Sequence, residues 1–193
     1  MPEMYFPCSS TPFSSETNVL RVISHETCTR ATTTVDEYIP LDLCFCQPEP
    51  VDKLYWRARD GDTSLLEVGI APDSGALVSL TLTAISPRRV RRGSLVPAAT
   101  CPSEEGVPVV DRSPWLERRS SFAERFLDEE LKLELAISEA CAVVTLGTEW
   151  SLGRFWSAGN VRFGVDDLGL LRAIEVGGLS SHQIALLAEL ASG

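Results

Sequence analysis

Histidine and cysteine are the side chains with which a search for chemistry begins, and this chain offers few arrangements of them. Its 193 residues include two histidines, His25 and His182, and six cysteines. Cys44 and Cys46 share one face of a predicted strand, whereas a zinc knuckle uses two intervening residues and a second cysteine pair. No signature of a nucleophilic cysteine paired with histidine surrounds any of the six. The pattern predicts structural thiols, no bound metal and no cofactor.

Phosphate-binding and acid–base chemistry have equally little support in the sequence. Gly69, Gly75, Gly164 and Gly169 fit hairpins, and no glycine cluster joins a strand to a helix as a phosphate-binding loop requires. Adjacent carboxylates are frequent, but a run of charges is usually a solvated face. We therefore expect a protein that is not an enzyme, and a small enzyme with an unrecognised cleft stays as one alternative.

The net charge of −10 restricts the kind of partner. Direct binding to nucleic acid or to an anionic membrane needs a basic footprint, so neither is expected. Of the 27 acidic residues, seven lie in 1–50 and eleven in 101–150, whereas 88–92 is a short basic run. That run predicts a solvated loop, with a phosphate or RNA site as the alternative. An acidic surface favours a basic protein partner, unless it serves only to keep the protein soluble.

Six residues are candidates for contact with such a partner. Trp115 lies in a loop, 112–116, whose residues are not strand-like, and an exposed tryptophan is a strong binding anchor. Packing of Trp115 in the core is the alternative. The acidic candidates are Glu104, Glu105, Asp128, Glu129 and Glu130.

The elements that would position these residues are mostly strands. Residues 54–58, 66–70 and 78–84 surround two turn sequences and alternate in polarity, which predicts a three-stranded meander with one wet face. A closing helix at Ser181–Leu190 follows from the capping-box spacing of Ser180 with Gln183. Ser121 with Glu124 has the same spacing and predicts a helical turn or two over 121–130, and His25 falls in a predicted turn. Further strands are predicted at 18–23, 27–35, 41–46, 131–137, 142–146, 151–156, 161–165 and 170–176.

The expected fold class is α+β, predominantly antiparallel β, with meander and hairpin sheets and a C-terminal helix. Residues 1–16 are expected to form a poorly ordered arm, and residues 17–193 are expected to form a single β-rich domain. This domain alternatively divides into two hairpin units, 17–86 and 121–193, joined by a long loop at 87–120. Such a loop is either functional or contains a short strand near 107–110.

A weak internal repeat accompanies this division. Residues 68–80 resemble 163–174, and an aromatic pair precedes each segment, at 55–56 and 155–156. Either the chain holds two similar units or hairpins simply look alike, and turn chemistry alone slightly favours the second interpretation.

The N-terminus predicts where the protein is found. It lacks the basic and apolar regions of a secretory signal, and the chain has no apolar run of about 20 residues. We expect a cytoplasmic protein with reduced thiols.

Segments 64–82 and 159–170 resemble the immunity proteins of bacterial contact-dependent inhibition and related polymorphic toxin systems. The resemblance rests on hairpins, and these families share no functional residues that could be carried over. It implies a cytoplasmic, non-enzymatic protein that binds one cognate toxin domain, in many systems a basic nuclease, and occludes its active site. The rival interpretation is an acidic secretion chaperone or adaptor that binds an extended partner segment, for example by strand addition.

Overall fold

The chain folds into two β-sheets, a separate two-stranded ribbon and short helices, so the predicted α+β, mainly antiparallel fold is confirmed. The computed structural model describes residues 20–45, 50–93, 103–116, 125–148 and 151–191. The helices are α1 (Ser113–Leu116), α2 (Ser181–Glu189) and a 3₁₀ helix (Pro87–Arg89). The strands are β1 (Val22–Glu26), β2 (Thr32–Thr34), β3 (Leu41–Cys44), β4 (Leu54–Arg59), β5 (Leu65–Ile70), β6 (Leu77–Ala84), β7 (Val90–Arg92), β8 (Ser103–Glu105), β9 (Val107–Val110), β10 (Phe126–Glu130), β11 (Leu133–Ile137), β12 (Ala142–Leu146), β13 (Leu152–Ala158), β14 (Val161–Asp166) and β15 (Leu171–Val176).

The two sheets contain the same five-stranded arrangement. The first sheet has the order β10-β4-β5-β6-β3-β2, and the second has the order β7-β11-β12-β15-β14-β13-β8. Strands β2 to β6 form a first unit and β11 to β15 a second, and corresponding strands occupy the same places with antiparallel neighbours. A further strand adds in parallel at corresponding places, β10 outside β4 and β8 outside β13, and β7 adds in parallel to β11 at the other edge of the second sheet. The segments that resemble each other in sequence therefore occupy corresponding places in two units with the same strand order.

The correspondence extends to single residues. The pairing of β5 with β6 shifts register between Gly69 and Ile70, and that of β14 with β15 shifts between Gly164 and Val165. Such bulges insert an extra residue and turn the strand locally. Val68 and Phe163 each lie one residue before the glycine of their bulge. Trp56 on β4 pairs with Val68, and Trp156 on β13 pairs with Phe163, so the two buried tryptophans correspond.

The ribbon of β1 and β9 joins the two units. Gly75, in the turn of the first unit, has φ +82°, and Gly169 in the second has φ +81°. The carbonyl of Gly75 accepts from the N–H of Val110 at 2.9 Å, and that of Gly169 accepts from Val22 at 2.7 Å. Val22 and Val110 are paired with each other in the ribbon. Each turn therefore holds one strand of the ribbon, and the ribbon holds the units together.

One apolar core runs through both units, and it extends from Leu20 to Leu187 of the closing helix. The predicted helix over 181–190 is confirmed as α2. Its Ser180 side chain accepts from the N–H of Gln183 at 3.2 Å, and the Gln183 side chain accepts from the N–H of Ser180 at 2.9 Å. This reciprocal capping satisfies two backbone donors that the first turn would otherwise leave unpaired.

Several sequence predictions need correction. The long loop predicted at 87–120 contains, within its described residues, the 3₁₀ helix, β7, β8, β9 and α1, and the strand suspected near 107–110 is β9. The helical turn predicted at 121–130 is wrong where the structure describes it, because Phe126–Glu130 is the strand β10. His25 lies in β1 and not in a turn. Residues 1–16, predicted as an arm, lie outside the described residues.

The meander of β4, β5 and β6 is confirmed, but the face predicted to be wet is partly covered. Ser79 on β6 is buried, and its hydroxyl accepts from Lys53 Nζ at 3.3 Å. The reason is that the lysine stem lies across the polar face, a common way for such side chains to cover a sheet.

The turn glycine of the first unit provides a stability test with a matched control. Gly75→Ala forces a side chain into positive φ and places its Cβ 2.7 Å from the Val110 carbonyl, whereas Gly61, at φ +62°, has nothing within 4 Å of that position. We expect Gly61→Ala to cost about 1 kcal/mol from backbone conformation alone, and Gly75→Ala to cost clearly more, because the ribbon must also shift. Urea unfolding of both variants measures the difference, and equal losses would contradict the bond between turn and ribbon.

Candidate partner-binding surface

The acidic residues singled out in the sequence lie on two edge strands at corresponding places in the two units. Glu104 and Glu105 belong to β8, which pairs with β13, and Asp128, Glu129 and Glu130 belong to β10, which pairs with β4. The outer side of each strand pairs with no other described strand. Edge strands present unpaired backbone donors and acceptors and are therefore places where another chain can add. The structure thus brings the acidic candidates together in two groups on two edges.

On β10, Asp128 is already neutralised. Both its carboxylate oxygens accept from the guanidinium of Arg57, at 2.6 and 2.9 Å. The same guanidinium lies over the ring of Phe126, 4.4 Å from its centroid, and Phe126 stacks on Tyr55 with centroids 5.0 Å apart. A bidentate pair of this kind fixes the strand. Asp128 therefore holds β10 against β4.

Glu129 is half-buried and structural in its contacts. Its Oε2 accepts from the indole Nε1–H of Trp56 at 2.8 Å, and its buried Oε1 has no hydrogen-bond partner. Burial raises the pKa of Glu129, and the hydrogen bond from Trp56 only partly opposes this. The pKa moves in this direction because burial penalises a charged carboxylate more than a protonated one. Glu130 is exposed and makes no ion pair with a residue that the structure describes.

On β8, both glutamates remain open to solvent. The side chain of Glu104 is 64% exposed and lies 3.7 Å from Nδ1 of His25. The His25 ring stacks on Trp156 with centroids 5.9 Å apart. Glu105 is exposed as well. The β8 edge therefore carries more available negative charge than the β10 edge.

The two edges differ at one decisive position. Glu129 lies two residues after Leu127, which is opposite Trp56, and Gly106 lies two residues after Glu104, which is opposite Trp156. Gly106 has no side chain, and the buried Nε1–H of Trp156 has no acceptor among the residues that the structure describes. The indole N–H of Trp56 therefore has a hydrogen-bond acceptor, and that of Trp156 has none among the described residues.

Trp115 is in the core, as the alternative interpretation of this residue had it. It is 3% exposed, and its Nε1–H donates to the carbonyl of Tyr55 at 3.2 Å. The helix α1 turns this side chain inward. Trp115 therefore offers almost no surface to a partner in this conformation.

Exposed apolar side chains that the sequence did not single out occur elsewhere. Tyr38 is 87% exposed in the turn between β2 and β3. That turn is rigid, because Oδ1 of Asp36 accepts from the N–H groups of Tyr38 and Ile39, both at 2.7 Å. These bonds also lower the pKa of Asp36. The signal in the sequence was an aspartate two residues before an aromatic one in a turn.

The basic run is engaged within the protein. Arg89 pairs with Asp60 at 2.7 Å, and Arg91 pairs with Glu134 at 2.8 Å. The pKa of Glu134 is lowered, first by the hydrogen bond from Lys132 and further by the nearby arginines. The run forms part of the 3₁₀ helix and β7, so the predicted solvated loop is only partly correct.

Thiols and acidic side chains give no sign of a metal centre in the ranges described. Cys28 and Cys141 carry free thiols, and Sγ of Cys28 donates to the carbonyls of Arg30 and Phe45, both at 3.2 Å. No group of three His, Cys, Asp or Glu side chains within those ranges is arranged to hold an ion. Cys8, Cys46 and Cys101 lie outside them. No helix in the described part of the chain is long and apolar enough to cross a membrane.

No protein-family model matches this chain, and no curated protein matches it at a significant level.

The two tryptophans provide a matched pair of variants. Trp56→Phe leaves the buried Oε2 of Glu129 without its donor, whereas Trp156→Phe removes a donor that has no acceptor. Both variants lose similar apolar area, so we expect Trp56→Phe to cost about 1–3 kcal/mol more. Urea unfolding followed by circular dichroism measures both free energies. Equal losses would show that the indole bond to Glu129 contributes nothing.

Glu129 also predicts a pH dependence. Because its folded pKa lies above the ordinary value of 4.5, the folded state binds more protons, and stability falls as pH rises from 4.5 through the raised pKa. Glu129→Gln keeps an acceptor for Trp56 without the charge. We expect this variant to flatten the fall and to be at least as stable as the native protein at pH 7. Melting temperatures from pH 4 to 8 test this, and parallel curves for the two proteins would contradict it.

Proposed function

We propose that this protein is an immunity protein that binds a basic toxin domain and neutralises it by covering the active site. The observation that carries the proposal is the β8 edge, where Glu104 and Glu105 are exposed on the outer strand of the second sheet. The resemblance of the two hairpin segments to immunity proteins points the same way.

Charge supplies the physical mechanism. A nuclease binds its substrate's phosphates in a basic cleft, and an acidic surface that enters this cleft excludes the substrate. With a net charge of −10, long-range attraction would speed the encounter by roughly 10- to 1,000-fold. Exposed carboxylates of Glu104, Glu105 and Glu130 are the side chains available for this contact. The binding would be to protein and not to nucleic acid or membrane, and it would occur in the cytoplasm.

A second candidate function is a secretion chaperone or adaptor that binds an extended segment. It is favoured by the outer backbone of β8 and of β10, which pairs with no described strand. An added strand would take its affinity from backbone hydrogen bonds and its specificity from alternate side chains.

Co-purification from the native host identifies the partner. We expect tagged protein to retain a folded, basic toxin domain in a stoichiometric complex whose toxic activity is lost. Retention of a secreted protein through an unfolded segment would favour the chaperone instead.

Charge reversal then tests which surface is used. We expect Glu104→Lys with Glu105→Lys to slow association with the toxin at least tenfold at low salt. The difference should shrink in 1 M salt, where the Debye length falls from about 10 Å at 0.1 M to about 3 Å. Glu139→Lys with Glu189→Lys changes the net charge equally at two other exposed sites and is the control. Stopped-flow association rates measure this, and equal slowing by both pairs would argue against a specific β8 surface.

A further inference from the structure

A cleft of about 170 Å³ opens beside Trp156 in the second unit. Its walls include Val22 of the ribbon, Gly153 and Arg154 of β13, and Asp167 and Gly169 of the turn between β14 and β15. One water takes about 30 Å³ of liquid volume, so the cleft has room for the end of a side chain.

The corresponding place in the first unit is filled by an arginine of this chain. A methyl group added at Gly75 would lie 3.3 Å from Cγ and Cδ of Arg112, whereas one added at Gly169 would meet, among the described residues, only the carbonyl of Val22 within 4 Å. The guanidinium of Arg112 donates to the carbonyl of Pro72 in the same turn. The first unit therefore shows what such a cleft accommodates.

The second unit has no arginine at the position that corresponds to Arg112. Arg112 lies two residues after Val110, the ribbon residue bonded to Gly75. Its counterpart, two residues after Val22, is Ser24, which is exposed and too short to reach the turn. The cleft is thus open because Ser24 stands where the first unit has Arg112.

The open cleft carries a carboxylate suited to an arginine. Asp166 is committed to Arg172, whose Nε lies 2.8 Å from its Oδ2. Asp167 lies in the turn that corresponds to the turn carrying Pro72, and it makes no ion pair with any residue the structure describes. Arg154, which also lines the cleft, is exposed, and its guanidinium lies over the ring of Trp156, 5.5 Å from the centroid.

We propose that this cleft receives an arginine side chain of the partner, held as Arg112 is held in the first unit. The guanidinium donates to the carboxylate of Asp167 and to the backbone carbonyl of the turn. Arginine suits the place better than lysine because its planar fork can donate to two acceptors at once. The cleft borders the β8 edge, since Glu104 contacts His25 and His25 stacks on Trp156. The inference rests on the proposed function only in assigning the arginine to a protein partner.

A titration with N-acetyl-arginine amide tests the cleft directly. Nuclear magnetic resonance should show saturable shifts of the Trp156 indole and Gly169 amide signals in the millimolar range, with the Trp56 indole unmoved. N-acetyl-citrulline amide, which has the same shape without the charge, should bind at least fivefold more weakly. Asp167→Asn should weaken binding of the arginine probe at least fivefold, while Asp73→Asn, in the exposed turn of the first unit, should leave it unchanged. Equal shifts of both indoles, or equal binding of the two probes, would overturn the inference.

Dissociation measurements on the toxin complex distinguish failure of this inference from failure of the proposed function. With an identified toxin, Asp167→Asn should speed dissociation at least tenfold, and Asp73→Asn should not change it. Unchanged dissociation of a complex that still depends on Glu104 and Glu105 would overturn the cleft and leave the immunity function standing. Specific binding of the arginine probe, with no toxin retained from the host, would support the cleft and argue against that function.

Discussion

The backbone groups on the outer sides of β4 and β13 need hydrogen-bond partners. The rest of the structure depends on which strands supply them. Each of these strands carries a fully buried tryptophan, so an unpaired backbone beside it would cost as much as a lost hydrogen bond. A parallel partner cannot come from a hairpin, because the chain has to cross over to enter in the same direction. The chain therefore supplies β10 and β8 from the segment between the two units. This requirement places the acidic residues 104–105 and 128–130 on sheet edges.

The two units differ in the hydrogen bonding of their tryptophans and in what covers their turn glycines. In the first unit, Glu129 accepts from Trp56 and Arg112 covers the turn glycine, so the unit is closed by its own side chains. In the second, Gly106 and Ser24 stand at the corresponding positions, and Trp156 keeps an unpaired donor beside an open cleft. Departures of this kind from local consistency are expected where a protein binds something. The likeness of the two units makes the departure visible, because the indole N–H of Trp156 has a counterpart in Trp56 that is hydrogen-bonded.

The sequence could predict what is local. Strands 65–84 and 152–176 follow from alternation and turn chemistry within a few residues, and α2 follows from the spacing of Ser180 and Gln183. It could not predict β10, because the capping spacing at Ser121 favoured a helix while the partner strand lies about 70 residues earlier. For the same reason it found the acidic residues but not their environments. Nothing near Asp128 in the chain reveals that Arg57 neutralises it.

The second unit joins the two halves of the proposed surface through one chain of contacts. Glu104 on the edge strand lies against His25, His25 stacks on Trp156, and Trp156 lines the cleft that also holds Asp167. Charges at the rim of an interface change mainly the association rate of a partner, and closely held charge pairs change mainly its dissociation rate. The β10 edge offers no such continuity, since Asp128 and Glu129 are engaged by Arg57 and Trp56. The physical asymmetry between the two units is why the proposed steering and the proposed anchoring both fall on the second unit.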